Sequence, residues 1–225
     1  MTGDSEKLTL YTYCKSSAAY RVRIALNLKK INYDPVYISL HKDKQEHYRQ
    51  EYRQINPQAM VPALKVGPQI LTQSTAIMEY LEENYPDIPL LPADVETRAL
   101  ARSYAQLIAC DIHPLNNVRV LEYLRINLTS NEAQVMDWYR HWIQEGFEAL
   151  ESRLKTSKRV GEYCIGNTPG LADCYLVPQV YNAYRYHCEI ESFPCIKSIY
   201  HNCLELEAFK EASPEQQADY QPQDL

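Results

Sequence analysis

Val61-Pro62-Ala63-Leu64-Lys65-Val66, Gly67-Pro68, Gln69-Ile70-Leu71-Thr72 and Gln73-Ser74 read in succession as strand, turn, strand and helix start. Two short apolar runs on either side of a Gly-Pro turn signal form a hairpin. Ser74 is placed to cap a helix through Tyr80, Leu81 and Asn84 that Pro86 ends. Upstream, residues 8–13 alternate and are rich in β-formers, and Ser16 and Ser17 stand where either can cap a helix with the stripe Ala18, Val22, Ala25 and Leu26. Residues 33–40 read as a second strand, and the charge-mixed residues 43–53 as a solvated helix. The order is βαβα followed by ββα, an α/β unit closed by a hairpin.

Downstream the period becomes helical. Pro86, Pro89 and Pro92 punctuate a linker, and residues 95–125 and 132–154 then form two long helical patterns. In the second, Val135, Tyr139, Trp142, Ile143, Gly146 and Leu150 build an amphipathic face with a small residue in it. Pro114 should kink or divide the first. Residues 171–186, interrupted by Pro178, and 195–209 are further helical regions, and residues 213–225 are a polar tail expected to run over the surface.

Composition narrows the functional classes. The chain has 225 residues, of which 45% are hydrophobic and 23% charged, so a folded core is expected rather than disorder. The net charge of −6 is spread without basic blocks, which argues against nucleic acid as a partner. No apolar run is long enough for a membrane span, and residues 1–10 lack the apolar core of a signal peptide. The seven cysteines, at 14, 110, 164, 174, 188, 195 and 203, are odd in number and form no CxxC pair. They point to a reducing, cytoplasmic location rather than a disulfide framework. His41 and His47 are near neighbours without a metal-ligand spacing, so no metal is expected.

Five segments stand in one order: residues 16–26 (SSAAYRVRIAL), 56–64 (NPQAMVPAL), Gln73-Ser74, 111–119 (DIHPLNNVR) and 171–180 (LADCYLVPQV). Together they resemble the zeta class of glutathione transferases, which includes maleylacetoacetate isomerase and the related bacterial maleylpyruvate isomerase. The resemblance runs from about residue 8 to about residue 214. It implies the glutathione transferase fold: an α/β thioredoxin-like domain (βαβαββα) at 1–86, a linker at 87–94, and an all-helical substrate-binding domain at 95–225. It also implies glutathione as cofactor, a small dicarboxylate oxo acid as substrate, and a homodimer.

The chemistry of the residues is compatible with that reading. A helix N-terminus carries unpaired N–H groups and about half a positive charge, which stabilise an anion. Hydroxyls at Ser16 and Ser17 can in addition donate to a thiolate, although both also fit as plain N-caps. Lowering a thiol pKa from about 8.5 to about 6.5 takes about 2.7 kcal/mol of differential stabilisation. By resemblance, Ser16 and Ser17 are catalytic and bind glutathione together with Arg21, His47, Val61, Gln73, Ser74, His113 and Asn117. Val61-Pro62 matches the family's cis-proline turn, and Gln73-Ser74 suits the γ-glutamyl carboxylate. The substrate carboxylates fall to Lys15, Arg119 and Arg185, the arginine fork being suited to such groups.

Two positions, 18 and 170, depart from the family pattern, and Cys14 offers a thiol that could seem to replace the missing one. Ala18 stands where the class usually has the cysteine of a Ser-Ser-Cys run, so the chemistry must rest on glutathione's own sulfur. Cys14 forms a formal CxxS with Ser17, but at a strand end it fits a buried small hydrophobe. Gly170 replaces the N-cap hydroxyl three residues before Asp173, leaving only the acid's half of a capping box. The resemblance implies a glutathione-dependent cis–trans isomerase converting maleylacetoacetate to fumarylacetoacetate in aromatic amino-acid catabolism. Maleylpyruvate isomerisation, general glutathione conjugation and a non-catalytic interaction protein are the alternatives.

Overall fold

The hairpin forms around β3 (Ala63–Val66) and β4 (Gln69–Thr72), and Gly67, at φ 53°, supplies the positive φ that its two-residue turn requires. The computed structural model describes residues 7–222; the first six residues of the expected N-terminal domain and the last three of the tail lie outside them. β1 (Leu8–Thr12) runs antiparallel to β3, pairing Tyr11 with Ala63, and parallel to β2 (Asp34–Tyr37). The sheet order is β2-β1-β3-β4. This is the thioredoxin-like arrangement, and the rest of the chain is mostly helical.

α1 (Ser17–Leu28) is buried over more of its surface than the stripe predicts, with Tyr20, Arg21, Arg23 and Ile24 also inside. The cause lies at the other end of the sequence. α9 (Glu207–Ala212) packs on α1, where Tyr20 Oη donates to the Phe209 carbonyl and Asn27 Nδ2 to the Ala208 carbonyl at 3.0 Å. The C-terminus of α1 is held by the buried Lys29 ammonium, which donates to the carbonyls of Tyr85 and Ile88 and pairs with Glu82 at 2.7 Å. That clamp fixes the end of α3 (Ser74–Asn84).

The solvated helix expected at 43–53 is instead a 3-10 turn, Glu46–Tyr48, followed by the six-residue α2 (Gln50–Ile55). Gln45 is left-handed at φ 44° and Arg49 extended, and Glu46 turns its carboxylate to the Ser39 N–H at 2.8 Å. With only His47 and Tyr52 to bury, this stretch has no apolar face to hold a longer helix.

By compactness the chain divides into two units: the described parts of Met1–Pro89 and Leu206–Leu225 form one, and Leu90–Glu205 the other. The C-terminal segment therefore groups with the sheet, whereas the sequence reading assigns all of 95–225 to the helical domain. Its bonds to α1 are the physical reason. The expected helix at 195–209 accordingly breaks into α8 (Pro194–Leu204) and α9, with Leu206 extended between them.

In the second unit, α4 (Val95–Gln106) runs into a π-helical turn at Leu107–Ile112, and Pro114 then separates it from α5 (Val118–Ile126). α6 (Glu132–Thr156) opens with a reciprocal capping box between Asn131 and Gln134. Gly146 lies on its packing face, where a Cβ would overlap the Ile112 side chain. α7 (Leu171–Arg185) continues through Pro178, which does not interrupt it as expected, because Leu171–Val180 is buried on every side and packing outweighs the lost backbone bond. The buried Glu151 of α6 caps α8, accepting the Cys195 and Ile196 N–H groups at 3.0 Å each.

Asp173 keeps its half of the box at the start of α7. Its oxygens accept the Gly170 N–H at 2.8 Å and the Cys164 N–H at 2.9 Å. Burial pushes its carboxyl up from the ordinary range, and these two donors pull it back. Gly170 suits the cap because a Cβ there would meet the Leu90 carbonyl at 2.7 Å. Asp173→Ala orphans two backbone N–H groups at about 1–3 kcal/mol each, so a loss of about 2–6 kcal/mol is expected in chemical denaturation at pH 7. A midpoint that stays within experimental scatter of the parent would contradict this role.

Candidate active site

The turn between β1 and α1 carries the first group of expected residues. Ser16 is the N-cap of α1, its Oγ accepting the Ala19 N–H at 3.2 Å. A hydroxyl used as an acceptor still has its own hydrogen to donate, so capping and thiolate binding are compatible in one residue. Ser17 is the buried first residue of the helix, and Ala18 is half-buried behind it. The structure thus distinguishes the two serines, which the sequence leaves equivalent.

Arg21, one turn further on, is buried and donates from Nη1 to Ser74 Oγ at 3.4 Å. This bond joins the first turns of α1 and α3. Gln73, not Ser74, is the N-cap of α3; Ser74 is the first helical residue and its hydroxyl is turned inward to Arg21. Gln73 has φ 71° and ψ 117°, an uncommon conformation for a residue with a side chain. Its exposed amide donates to Gln58 Oε1 at 2.8 Å.

Val61-Pro62 is cis, and Val61 packs in one apolar cluster with Tyr13, Cys14 and Tyr52. The cis turn therefore adjoins the residues just before Ser16. His47 stacks on Tyr48, with ring centroids 3.9 Å apart, and its Nδ1 lies 3.4 Å from the Ser39 carbonyl. Its place at the glycine end of glutathione stays with the resemblance. Lys15 Nζ donates to the Gln221 carbonyl at 3.1 Å and lies 5.3 Å from the centre of the Tyr220 ring.

Cys14 is fully buried, and its thiol is pushed up to about 12, first by burial and then by the negative charge of Asp219. This agrees with the small-hydrophobe reading and leaves it without thiolate at neutral pH. Asp219, Tyr220 and Gln58 were missed in the sequence. The first two sit in a polar tail with no periodicity to mark them, and Gln58 has no signal beyond its place before the cis turn.

In the second unit, His113 ends the π-helical turn, its N–H bonded to the Ile108 carbonyl at 2.9 Å. Asn117 caps α5, its Oδ1 accepting the Arg119 N–H at 3.2 Å, and Arg119 is exposed beside it. Asn116 Nδ2 and Trp138 Nε1 tie this loop to α6 through the Tyr139 and Leu115 carbonyls. Tyr139 stacks on Tyr186 with centroids 4.0 Å apart, and Arg185 at the end of α7 lies over that Tyr186 ring at 5.2 Å. A continuous set of contacts thus joins Arg185 to the loop between His113 and Asn117. π-helical turns of this kind recur at functional sites. Among the described residues no cluster of His, Cys, Asp and Glu could hold a metal ion, and no helix is long and apolar enough to cross a membrane.

A thioredoxin-like sheet with a serine N-cap, a cis-proline turn and a buried arginine–serine bond between two helix starts defines a glutathione transferase scaffold. Comparison with known proteins agrees: the family of glutathione S-transferase N-terminal domains matches residues 10–89. Maleylpyruvate isomerase of a Ralstonia species is 45% identical over 94% of this chain and 99% of its own. A holo maleylpyruvate isomerase structure, a bacterial zeta-class enzyme, superimposes with a TM-score of 0.92 at 45% identity, covering 95% of this chain and all of that one (100%). A maleylacetoacetate isomerase of Methylobacterium extorquens, solved with malonate and glutathione, gives 0.91 at 37% identity over 95% of this chain and 99% of that one. The chain belongs to the glutathione transferase family, in the zeta class with the maleylacetoacetate and maleylpyruvate isomerases.

Proposed function

We propose that this chain is a glutathione-dependent cis–trans isomerase of a maleyl-substituted oxo acid, with maleylacetoacetate as substrate and maleylpyruvate as the competing candidate. The observation that carries the reading is Ser16, an N-cap whose hydroxyl hydrogen remains available at a helix N-terminus. The neighbouring residues fit glutathione. Buried Ser74 and exposed Gln73 at the start of α3 suit a carboxylate, and Val61 before the cis-proline offers its backbone to the cysteinyl part. Arg21 supports Ser74, His47 is assigned to the glycine end, and the resemblance assigns His113 and Asn117 of the second unit to glutathione as well.

When bound, glutathione supplies a thiolate that adds reversibly to the maleyl double bond, allows rotation about the resulting single bond, and leaves unchanged. Ser16 and the first N–H groups of α1 hold that sulfur anionic; Ser17 adds a second hydroxyl. With Ala18 in place of a cysteine, no protein thiol takes part at that position. Arg119 and Arg185 are assigned to the substrate carboxylates. Lys15 is engaged by the Gln221 carbonyl and Tyr220, so the carboxylate role is not extended to it.

Free cysteines at all seven positions support a reducing, cytoplasmic setting, and membership of the family supports a homodimer. Side-by-side isomerisation assays on maleylacetoacetate and maleylpyruvate test the reading. Both rates are expected to require glutathione, with the higher kcat/KM on maleylacetoacetate. A higher kcat/KM on maleylpyruvate reverses the substrate assignment. Turnover of a broad electrophile panel with neither isomerisation replaces it with general conjugation.

A further inference from the structure

The segment after α9 is bound to the turn that carries Ser16. Beyond Ala212 the chain makes a 3-10 turn at Pro214–Gln216 and then reaches the β1–α1 connection. There Asp219 Oδ2 accepts the Cys14 backbone N–H at 3.0 Å, and the Cys14 thiol lies 3.7 Å from the Asp219 carbonyl. Tyr220 packs against the cluster of Tyr13, Cys14, Tyr52 and Val61. Arg23 donates to the Tyr13 carbonyl at 3.2 Å, the Cys14 carbonyl at 2.9 Å and, through Nε, the Ala212 carbonyl at 2.9 Å. Both backbone polar groups of Cys14 are thus held by the C-terminal segment or by a side chain bonded to it. Ser16 inherits that constraint, because its own N–H bonds to the Tyr13 carbonyl at 3.1 Å.

The other Asp219 oxygen, Oδ1, is buried with no hydrogen-bond partner among the described residues. A carboxylate oxygen left in this way is costly, and covering apolar surface does not require one. What the carboxylate does hold is the Cys14 amide, two residues before the N-cap, within the field of the buried Arg23 guanidinium.

We infer that Asp219 is a positioning residue: from the C-terminal segment it fixes the β1–α1 turn through the Cys14 amide, and so sets where the Ser16 hydroxyl meets the sulfur of bound glutathione. This rests on the proposed glutathione chemistry. A misplacement of about 1 Å at such a contact can cost about a hundredfold in rate.

The test follows the thiolate absorbance of bound glutathione across pH, kcat/KM across pH, and the denaturation midpoint, in wild type, Asp219→Ala, Asp219→Asn and Tyr220→Ala. Asp219→Ala is expected to raise the midpoint of thiolate formation by about one pH unit, about tenfold in that equilibrium, and to lower kcat/KM at pH 6.5 to match. Asp219→Asn keeps an oxygen for the Cys14 amide and should return both close to wild type. Tyr220→Ala should shift them the same way by less, and it carries the test alone if Asp219→Ala does not fold. Variants that change only the denaturation midpoint, beside a wild type that forms the thiolate normally, overturn the positioning role and leave the isomerase reading standing. A wild type that forms no thiolate with saturating glutathione removes both.

Discussion

Ser16→Ala is expected to lower kcat/KM at pH 7 by about ten- to more than a hundredfold, because a hydrogen bond to a charged group contributes about 1.5–3 kcal/mol. The same change also removes the N-cap of α1, which costs about 1 kcal/mol of stability. Ser16→Gly separates the two effects: glycine is nearly as good at an N-cap but donates nothing, so stability should largely return while activity does not. Ser17→Ala, one residue into the helix, should fall between wild type and Ser16→Ala.

The pH dependence has a definite sign. Ser16 favours the anionic sulfur, so its loss raises the bound thiol's pKa, and the deficit should be largest near pH 6 and shrink towards pH 9. Cys14 cannot supply that acid limb, since its buried thiol, pushed up to about 12, stays protonated throughout the range. Cys14→Ala should therefore keep the wild-type profile, at the cost of a small cavity. Kinetics of these variants across pH 6–9 decide the matter. The assignment is falsified if Cys14→Ala abolishes turnover while Ser16→Ala retains it.

Legibility in the sequence followed how local the deciding physics was. The hairpin at 61–72 and its helix were readable because Gly67-Pro68 and Pro86 act on their own neighbours. Pro114 separated two helices as a backbone argument requires. Pro178 did not, because burial of α7 on every side is a tertiary effect that no local rule weighs. The choice between Ser16 and Ser17, and between Gln73 and Ser74, turned on single φ/ψ values that composition does not encode. The role of the last residues was the least visible. Asp219 and Tyr220 act on residues about two hundred positions away, and a polar tail carries no period to announce such contacts.

Arg23→Met should be among the most destabilising single changes in the described chain, as the net of two opposed effects. The guanidinium is fully buried, and burial lowers its pKa, so removing it recovers a desolvation cost of several kcal/mol. Against that, four acceptors lose their donor: Thr12 Oγ1 at 3.0 Å and the carbonyls of Tyr13, Cys14 and Ala212. At about 1.5–3 kcal/mol for each bond to a charged group, the loss outweighs the recovery by about 3–5 kcal/mol, a large part of a typical domain's total. Methionine keeps most of the stem's volume, so the deficit reports the bonds rather than a cavity. Arg23→Lys should recover only part, because one ammonium cannot span the four acceptors that the planar fork reaches. Local effects should accompany the global one. Without the bond to Ala212, the segment after α9 loses one of its ties to the β1–α1 turn, so limited proteolysis should cut near residues 213–218 faster than in wild type. Urea denaturation of both variants, paired with that proteolysis, gives the answer: an Arg23→Met midpoint within about 1 kcal/mol of wild type would mean that desolvation cancels the four bonds.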